Sequence, residues 1–147
     1  YPEVTTERVL VDAMAARFVL RPESLDVVVA SNLFADILSD LGGAICGSLG
    51  MAPSGNLNPE RAYPSMFEPI HGSAPKYTGQ SIVNPIATIE AVRMMLDNLG
   101  ESDAANHIEA AIAATLSAGE TRTKDMGGTS STTDMGSAVV AAMRASA

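Results

Sequence analysis

Residues 32–43 read NLFADILSDLGG, and within this segment Asp36 and Asp40 stand four residues apart. In a helix this spacing places two side chains on the same face, so the segment predicts two adjacent carboxylates on one helical surface. Because like charges repel, such a pair favours a bound cation, and hard divalent ions such as Mg2+ and Mn2+ prefer oxygen ligands. The alternative is a solvated helix face that carries two unrelated acids, since so short a motif has low specificity.

The segment before this helix predicts an α/β fold. Residues 25–30 read LDVVVA, a nearly continuous β-branched run that is typical of a strand buried on both faces of a sheet. Ser31 and Asn32 then turn the chain into the helix. Ligands of α/β proteins bind at the carboxyl ends of strands, so we expect the two acids to lie where such a fold places its chemistry.

Residues 67–85 read FEPIHGSAPKYTGQSIVNP, a stretch rich in Gly, Pro and small polar residues that we call the ligand loop. Residues 72–74 leave the backbone accessible to an anionic or ribose-bearing ligand, and His71 and Lys76 add hydrogen-bond donors. A long structural turn is the alternative. Loops of roughly 20 residues are uncommon unless they are functional or disordered, which favours ligand binding.

The helix and the loop together resemble two signatures of the β-decarboxylating dehydrogenase family, which contains isocitrate, 3-isopropylmalate, tartrate and D-malate dehydrogenases. Residues 32–40 (NLFADILSD) are similar to its metal-site signature, and residues 68–75 (EPIHGSAP) to its nucleotide-loop signature. The similarity continues to residues 125–129 (DMGGT). The resemblance implies an α/β fold, namely the C-terminal portion of the two-domain isocitrate/isopropylmalate dehydrogenase fold, with a mixed sheet flanked by helices.

The resemblance also implies an activity: oxidative decarboxylation of a small 2-hydroxy acid, with Mg2+ or Mn2+ as metal and hydride transfer to NADP or NAD. The substrate stays open among isocitrate, 3-isopropylmalate, D-malate and tartrate. Residues 27–34 and 52–56 look most like the tartrate and D-malate enzymes, whereas residues 76–80 look like isocitrate dehydrogenases.

A third metal ligand, Asp12, is implied by the resemblance alone. It corresponds to the acid that reaches the metal site of the other subunit, while Asp36 and Asp40 would bind from the same subunit. The expected working unit is therefore a homodimer with a shared active site. From the residues alone, Asp12 is an acid within an Ala/Met/Leu-rich helix and would be taken as solvated.

Lys76 points to NADP rather than NAD. NAD-using members of the family carry an aspartate here, which accepts hydrogen bonds from ribose hydroxyls, whereas a lysine pairs with a 2'-phosphate. Tyr77 adds a hydroxyl, Arg21 corresponds to an arginine from the neighbouring subunit, and Lys124 adds positive charge, but Gly128 stands where such enzymes can carry another arginine. The alternative is that Lys76 and Arg21 are ordinary surface cations. The resemblance assigns to the cofactor His71, Gly72, Ser73, Ala74, Lys76, Tyr77, Val83, Asn84, Asp125 and Arg21.

The resemblance predicts that residues 1–47 belong to the smaller, dimer-forming domain with the metal acids, and residues 48–147 to the larger nucleotide-binding domain. Because the chain starts at Tyr1 and enters segments that lie past the family's midpoint, we expect the C-terminal part of a longer protein. No catalytic residue is assigned, since the family's acid–base lysine and tyrosine would lie upstream, and these residues alone should be inactive. The alternatives are a non-catalytic subunit or a dimerisation and scaffold fragment.

The amino-acid composition argues against two classes of binding partner. A formal net charge of −8 argues against nucleic acid or an anionic membrane as a partner, and no apolar run approaches the roughly 20 residues that span a bilayer. We therefore expect a cytoplasmic protein. Cys46 is the only cysteine, and its neighbours predict a packed thiol.

The second half of the chain predicts two helices. Their apolar spacing places them at residues 87–99 and 104–116, with Gly100 as the stop signal of the first. His107, a lone histidine within the second helix, is expected to be structural or exposed rather than catalytic.

Overall fold

Two helices, α1 (Val11–Leu20) and α2 (Asn32–Ile45), form the first of two compact units, Tyr1–Ile45, in the computed structural model, which describes residues 1–146. A Cβ built on Gly42 would lie 3.4 Å from the ring of Phe18, so this glycine lets α1 approach α2 closely. Leu38 is buried at 4% exposure. The predicted helix carrying Asp36 and Asp40 is confirmed.

The predicted strand at residues 25–30 is wrong. This segment is not part of any sheet, and Val27 and Val29 are 83% and 92% exposed. A strand exists only when a neighbour supplies hydrogen-bond partners, and within residues 1–146 no backbone group of residues 26–30 makes a backbone hydrogen bond. The β-branched run is therefore irregular backbone rather than β-structure.

The second unit begins at Cys46 and contains a small sheet. Strand β1 (Pro53–Asn56) pairs antiparallel with β2 (Met66–Pro69), with Ser54 opposite Glu68. The ligand loop is therefore irregular only from residue 70 onwards, because residues 67–69 are drawn into β2. A 3-10 turn at Pro75–Tyr77 is the remaining regular structure within the loop.

Three helices complete this unit and pack in sequence: α3 (Ile86–Leu99), which also covers β1 and β2, α4 (Ser102–Ala118) and α5 (Thr132–Ala145). Both predicted helices of the second half are confirmed. Gly100, with a φ of 90°, ends α3 in the left-handed conformation as predicted. The buried cluster that joins the three helices consists of Ile86, Ile108, Ala111, Ile112, Met135 and Val139.

His107 is structural, as expected. Its Nε2 lies 2.7 Å from the backbone oxygen of Met143, so the ring links α4 to the end of α5. Cys46, in contrast, was predicted to be packed and is exposed. The reason is that α2 ends at Ile45 and the chain turns at Gly47, with a φ of 116°, which leaves the thiol on the wall of an open cavity of about 400 Å3.

Among residues 1–146, no helix is both long and apolar enough to cross a bilayer.

Candidate functional site

Asp36 and Asp40 lie on α2 with their carboxylates exposed. Among the described residues, neither carboxylate has a hydrogen-bond or ion-pair partner; the backbone oxygen of Asp36 accepts from the Ser39 hydroxyl at 2.9 Å. Two unpaired carboxylates one helical turn apart suit a hard divalent cation, since such ions are bound by oxygen ligands. The residue types therefore fit Mg2+ or Mn2+.

Asp12 lies in the first turn of α1, where its Oδ1 accepts from the backbone N–H of Ala13 at 2.8 Å. Within the part of the chain that the structure describes, no three His, Cys, Asp or Glu side chains converge to hold a metal ion. One copy of these residues thus offers the pair on α2 and a separate acid on α1, but not a complete coordination shell.

The ligand loop folds into a turn braced by its own backbone. The Tyr77 N–H donates to the Ala74 oxygen at 2.9 Å, and the Gln80 side chain donates to the Lys76 oxygen at 2.6 Å. Ala74 holds a φ of 43°, a left-handed conformation that is costly for a residue with a Cβ. The turn is therefore built to a defined shape rather than left loose.

Lys76 and Tyr77 come together at the surface of this turn. The Lys76 ammonium lies 4.8 Å from the centre of the Tyr77 ring, within the range of a cation–π contact, and both side chains are exposed. The arrangement presents a cation and a phenol hydroxyl at one place, where both can contact an anionic ligand.

The first part of the loop carries an unusual histidine. Since a carbonyl oxygen only accepts, Nδ1 of His71 donates to the Gly72 oxygen at 3.0 Å. Nε2 is buried and has no partner among the described residues. Gly72 and Ser73 beside it are exposed, so the backbone here is accessible as expected.

The far end of the loop is fastened to the first residue of α5. The Thr132 N–H donates to the Ser81 oxygen at 2.8 Å, and its hydroxyl donates to the Val83 oxygen at 2.5 Å. Thr132 is itself held in place by the adjoining capping box, in which Ser131 and Asp134 satisfy each other's backbone N–H groups. Val83, predicted to touch the cofactor, therefore has a backbone oxygen already engaged.

Asn84 and Asp125 are brought into direct contact, 3.0 Å apart from Nδ2 to Oδ2. Asp125 also accepts from the hydroxyls of Ser48 and Thr123, each at 2.5 Å. Burial raises the pKa of the Asp125 carboxyl, but the hydrogen bonds from Ser48, Thr123 and Asn84 outweigh burial and hold the pKa below its ordinary value. The carboxylate is therefore kept ionised by hydroxyl and amide donors rather than by a cation.

Ser48 and Thr123 were missed by the sequence analysis. Both are buried, Ser48 at 8% and Thr123 at 0% exposure. The Thr123-x-Asp125 spacing was a local signal for the second, since hydroxyl and carboxylate side chains two residues apart commonly bond. Nothing local marks Ser48, whose partner lies 77 residues away.

The space around Gly128 explains why this chain has no arginine at residue 128. A Cβ built on Gly128 would lie 2.0 Å from the backbone oxygen of Arg122, so no larger residue fits there unless the backbone moves. Arg21, the other predicted arginine, lies directly after α1 in the first unit, whereas the ligand loop belongs to the second.

Comparison with known proteins identifies the same family that the sequence motifs resemble. The family model described as isocitrate/isopropylmalate dehydrogenase matches residues 1–139. A probable tartrate dehydrogenase/decarboxylase of Agrobacterium vitis is 52% identical over 99% of this chain and 40% of that protein. D-malate dehydrogenase (decarboxylating) of Escherichia coli is 54% identical over 95% of this chain and 40% of that protein.

A solved structure confirms the fold class. Isocitrate dehydrogenase from Methylococcus capsulatus superimposes with a TM-score of 0.91 at 38% identity, over 98% of this chain and 42% of that one. The chain thus spans about 40% of the length of the curated relatives it matches.

Proposed function

Because this chain belongs to the isocitrate/isopropylmalate dehydrogenase family, we propose that it is part of a metal-dependent dehydrogenase that oxidises and decarboxylates a small 2-hydroxy acid, with NADP preferred over NAD. The observation that carries the proposal is the pair of exposed carboxylates of Asp36 and Asp40 on one face of α2, which have no partner among residues 1–146. The names of the relatives put D-malate and tartrate first among the four candidate acids, ahead of isocitrate and 3-isopropylmalate.

The metal would be held by Asp36 and Asp40 from one copy of the chain and by Asp12 from a second copy, in a homodimer with a shared active site. When bound, Mg2+ or Mn2+ would supply positive charge beside the substrate hydroxyl and the developing ketone oxygen, and the nicotinamide would accept the hydride. The carboxylates would hold that ion beside the substrate, and their negative charge would offset the positive charge of the ion. Asp12 remains available for this role because, among residues 1–146, its side chain bonds only to the backbone of its own helix.

The NADP preference is proposed on Lys76 and Tyr77, which meet at one exposed turn, with Arg21 contributed by the neighbouring subunit. A lysine donates to a phosphate but accepts no bond from ribose hydroxyls, so this pair favours the phosphorylated nucleotide. The accessible backbone at residues 72–74 would approach the rest of the cofactor.

The proposal includes the domain assignment and the location: residues 1–47 in the dimer-forming domain, residues 48–147 in the nucleotide-binding domain, and a cytoplasmic enzyme. Acid–base catalysis would come from a lysine and a tyrosine outside these 147 residues, so that the residues alone would be inactive.

The test is a turnover assay that follows reduced-nicotinamide absorbance in the presence of Mn2+. D-malate, tartrate, isocitrate and 3-isopropylmalate are each supplied with NADP+ or NAD+, both to this chain and to the longest natural polypeptide that carries it. We expect turnover in the longer form, faster with NADP+. Absence of turnover in both forms, with binding of nucleotide intact, contradicts the enzymatic proposal and favours a non-catalytic subunit.

A scaffold or dimerisation role is the second candidate, and the exposed apolar side chains of the first unit favour it. Leu33 is 67% exposed and Ile37 is 55% exposed on α2, where a partner surface could cover them. Size-exclusion chromatography with light scattering shows whether the chain dimerises. Calorimetric titration with NADP+ and Mn2+ then separates the two roles, since a pure scaffold dimerises without binding either.

A further inference from the structure

We propose that Asp125 and Asn84 are positioning residues that fix the end of the ligand loop, and that neither side chain is a direct ligand of the cofactor. The inference rests on the proposed function, because it concerns how the loop is kept ready for NADP+. It also assigns a role to Ser48 and Thr123, which hold Asp125 in turn.

The Asp125 carboxylate is already engaged from three directions. Its Oδ2 accepts from the Ser48 hydroxyl at 2.5 Å and from Asn84 Nδ2 at 3.0 Å, and its Oδ1 accepts from the Thr123 hydroxyl at 2.5 Å. A ribose hydroxyl or an adenine amine would have to displace one of these donors. All three belong to buried residues, where water has little access to replace the lost bond.

The side chain of Asn84 is even less available to a ligand. Asn84 is 2% exposed, and both the oxygen and the nitrogen of its amide are hydrogen-bonded. Oδ1 accepts from the Ile86 N–H at the start of α3 at 3.0 Å, while Nδ2 donates to Asp125. These two bonds fix which way the amide points. Asn84 therefore joins the last residues of the ligand loop to the first turn of α3.

The backbone of Gly50 packs closely against Asn84 and Asp125. A Cβ built on Gly50 would lie 2.8 Å from Asn84 Cβ and 3.1 Å from Asp125 Oδ2. The backbone at residue 50 thus packs directly on the contact between the two side chains, and its N–H donates to the Ser48 hydroxyl at 2.9 Å.

Three hydrogen-bonded anchors lie at the end of the ligand loop, within residues 81–84. Thr132 holds the backbone oxygens of Ser81 and Val83, and Asp125 holds the side chain of Asn84. Three anchors within four residues fix the side of the loop that follows the Lys76–Tyr77 turn. Loss of the Asp125 anchor would leave a buried amide unpaired and free the loop to sample other conformations.

Asp125→Asn tests the proposal, because its single amide oxygen cannot accept on both sides as the carboxylate does, and its amide nitrogen faces groups that donate to the carboxylate. The variant also removes a negative charge, which by Coulomb attraction alone would tighten binding of the anionic NADP+. We nevertheless expect the NADP+ dissociation constant to rise by about tenfold, the scale of a lost hydrogen bond to a charged group. Calorimetric titration of the longest natural polypeptide that carries these residues measures it.

A swap variant distinguishes positioning from direct contact. In Asn84→Asp combined with Asp125→Asn, residue 125 donates and residue 84 accepts, so the contact is restored with the formal charge unchanged. We expect most of the lost affinity to return. If the single variant binds normally, or if the swap fails to restore binding, the proposal is overturned, since failure of the swap is what a direct Asp125 contact predicts.

Val139→Ala is the matched control for lost stability, because Val139 is 2% exposed in the core and is not among the loop anchors. Its NADP+ affinity should stay at the wild-type value when both variants are measured well below their unfolding temperatures. An equal loss of affinity in this control would also overturn the proposal, since the Asp125 effect would then be general destabilisation.

Amide hydrogen exchange, measured without nucleotide, tests the positioning role even if the protein does not bind NADP+. The Ile86 N–H reports the Asn84 side chain directly, and the N–H groups of Tyr77 and Gln80 report the turn. These amides should exchange faster in Asp125→Asn than in Val139→Ala, and unchanged exchange overturns the positioning role. A wild-type protein that binds no nucleotide overturns the NADP proposal instead.

Discussion

Lys76 and Tyr77 place a cation and a hydroxyl side by side on an exposed turn whose backbone is fixed by its own hydrogen bonds. The choice between the two nicotinamide cofactors is therefore expected to depend on single residues rather than on the shape of the loop. Charge at residue 76 is the simplest way to test this.

Lys76→Asp should shift the preference towards NAD, because a carboxylate repels a 2'-phosphate and accepts bonds from ribose hydroxyls. We expect the ratio of kcat/KM for NADP+ to that for NAD+ to fall by an amount equivalent to about 1.5–3 kcal/mol. Arg144→Asp, which makes the same charge change at the exposed end of α5, is the control and should leave the ratio unaltered. An unchanged ratio in Lys76→Asp contradicts the cofactor assignment.

Asp36→Asn should weaken Mn2+ binding and turnover together, because it removes one of two adjacent carboxylates. Loss of an outer-shell partner typically costs about 10–100-fold in metal affinity, and loss of a ligand should cost at least as much. Asp103→Asn, at an exposed aspartate in the first turn of α4, is the matched control. Full activity of Asp36→Asn at low Mn2+ would count against its role as a ligand.

The segment between α4 and α5 is held together by its own backbone hydrogen bonds. The Ser130 N–H donates to the Arg122 oxygen at 2.8 Å, and the Gly128 N–H donates to the Thr123 oxygen at 3.0 Å. These bonds close the segment over Asp125 and leave no room for a side chain at Gly128.

Two glycine substitutions should therefore have opposite effects on stability. Gly128→Ala forces a Cβ to within 2.0 Å of the Arg122 backbone oxygen, and we expect it to cost about 3 kcal/mol, the upper range for overpacking. Gly136→Ala lies within α5 where a Cβ meets nothing within 4 Å among the described residues, and it should stabilise by about 0.5–1 kcal/mol. Denaturant unfolding measures both, and equal effects would contradict the packing described for Gly128.

The same elements show which parts of the fold could be predicted from local sequence patterns. Helices α3 and α4 were predicted from the spacing of their apolar residues and α2 from the spacing of Asp36 and Asp40, and such spacings are local properties of the sequence. The strand at residues 25–30 was wrong because strand formation depends on a neighbour that the local pattern does not specify. The network around Asp125 was only half anticipated, since Ser48 and Asn84 reach it across 77 and 41 residues.

At the scale of the whole molecule, burial is unequal between the two units. The apolar cluster of α3, α4 and α5 lies entirely in the second unit, whereas Leu38 and Gly43 are the buried residues of α2 in the first. Val27, Val29 and Leu33 remain exposed. The first unit thus has little apolar burial of its own to stabilise it, which agrees with a surface meant to be covered by another chain or segment.

Global stability should depend on pH through Asp125. Its pKa is lowered in the folded state, so the carboxylate stabilises the fold above its unfolded pKa of about 3.9, and this contribution is lost as the pH falls towards the folded value. Thermal unfolding midpoints of wild type and Asp125→Asn should differ most above about pH 5 and converge below about pH 4. A constant difference across this range would show that the ionised form contributes nothing specific.

The contact between Gly128 and the Arg122 backbone oxygen also limits how this protein can be engineered. An arginine introduced at residue 128 to bind a phosphorylated nucleotide more tightly would find no space, because the backbone oxygen of Arg122 occupies the place of its Cβ. Libraries aimed at cofactor preference should therefore vary residues 76 and 77, where the side chains are exposed, and keep residue 128 as glycine.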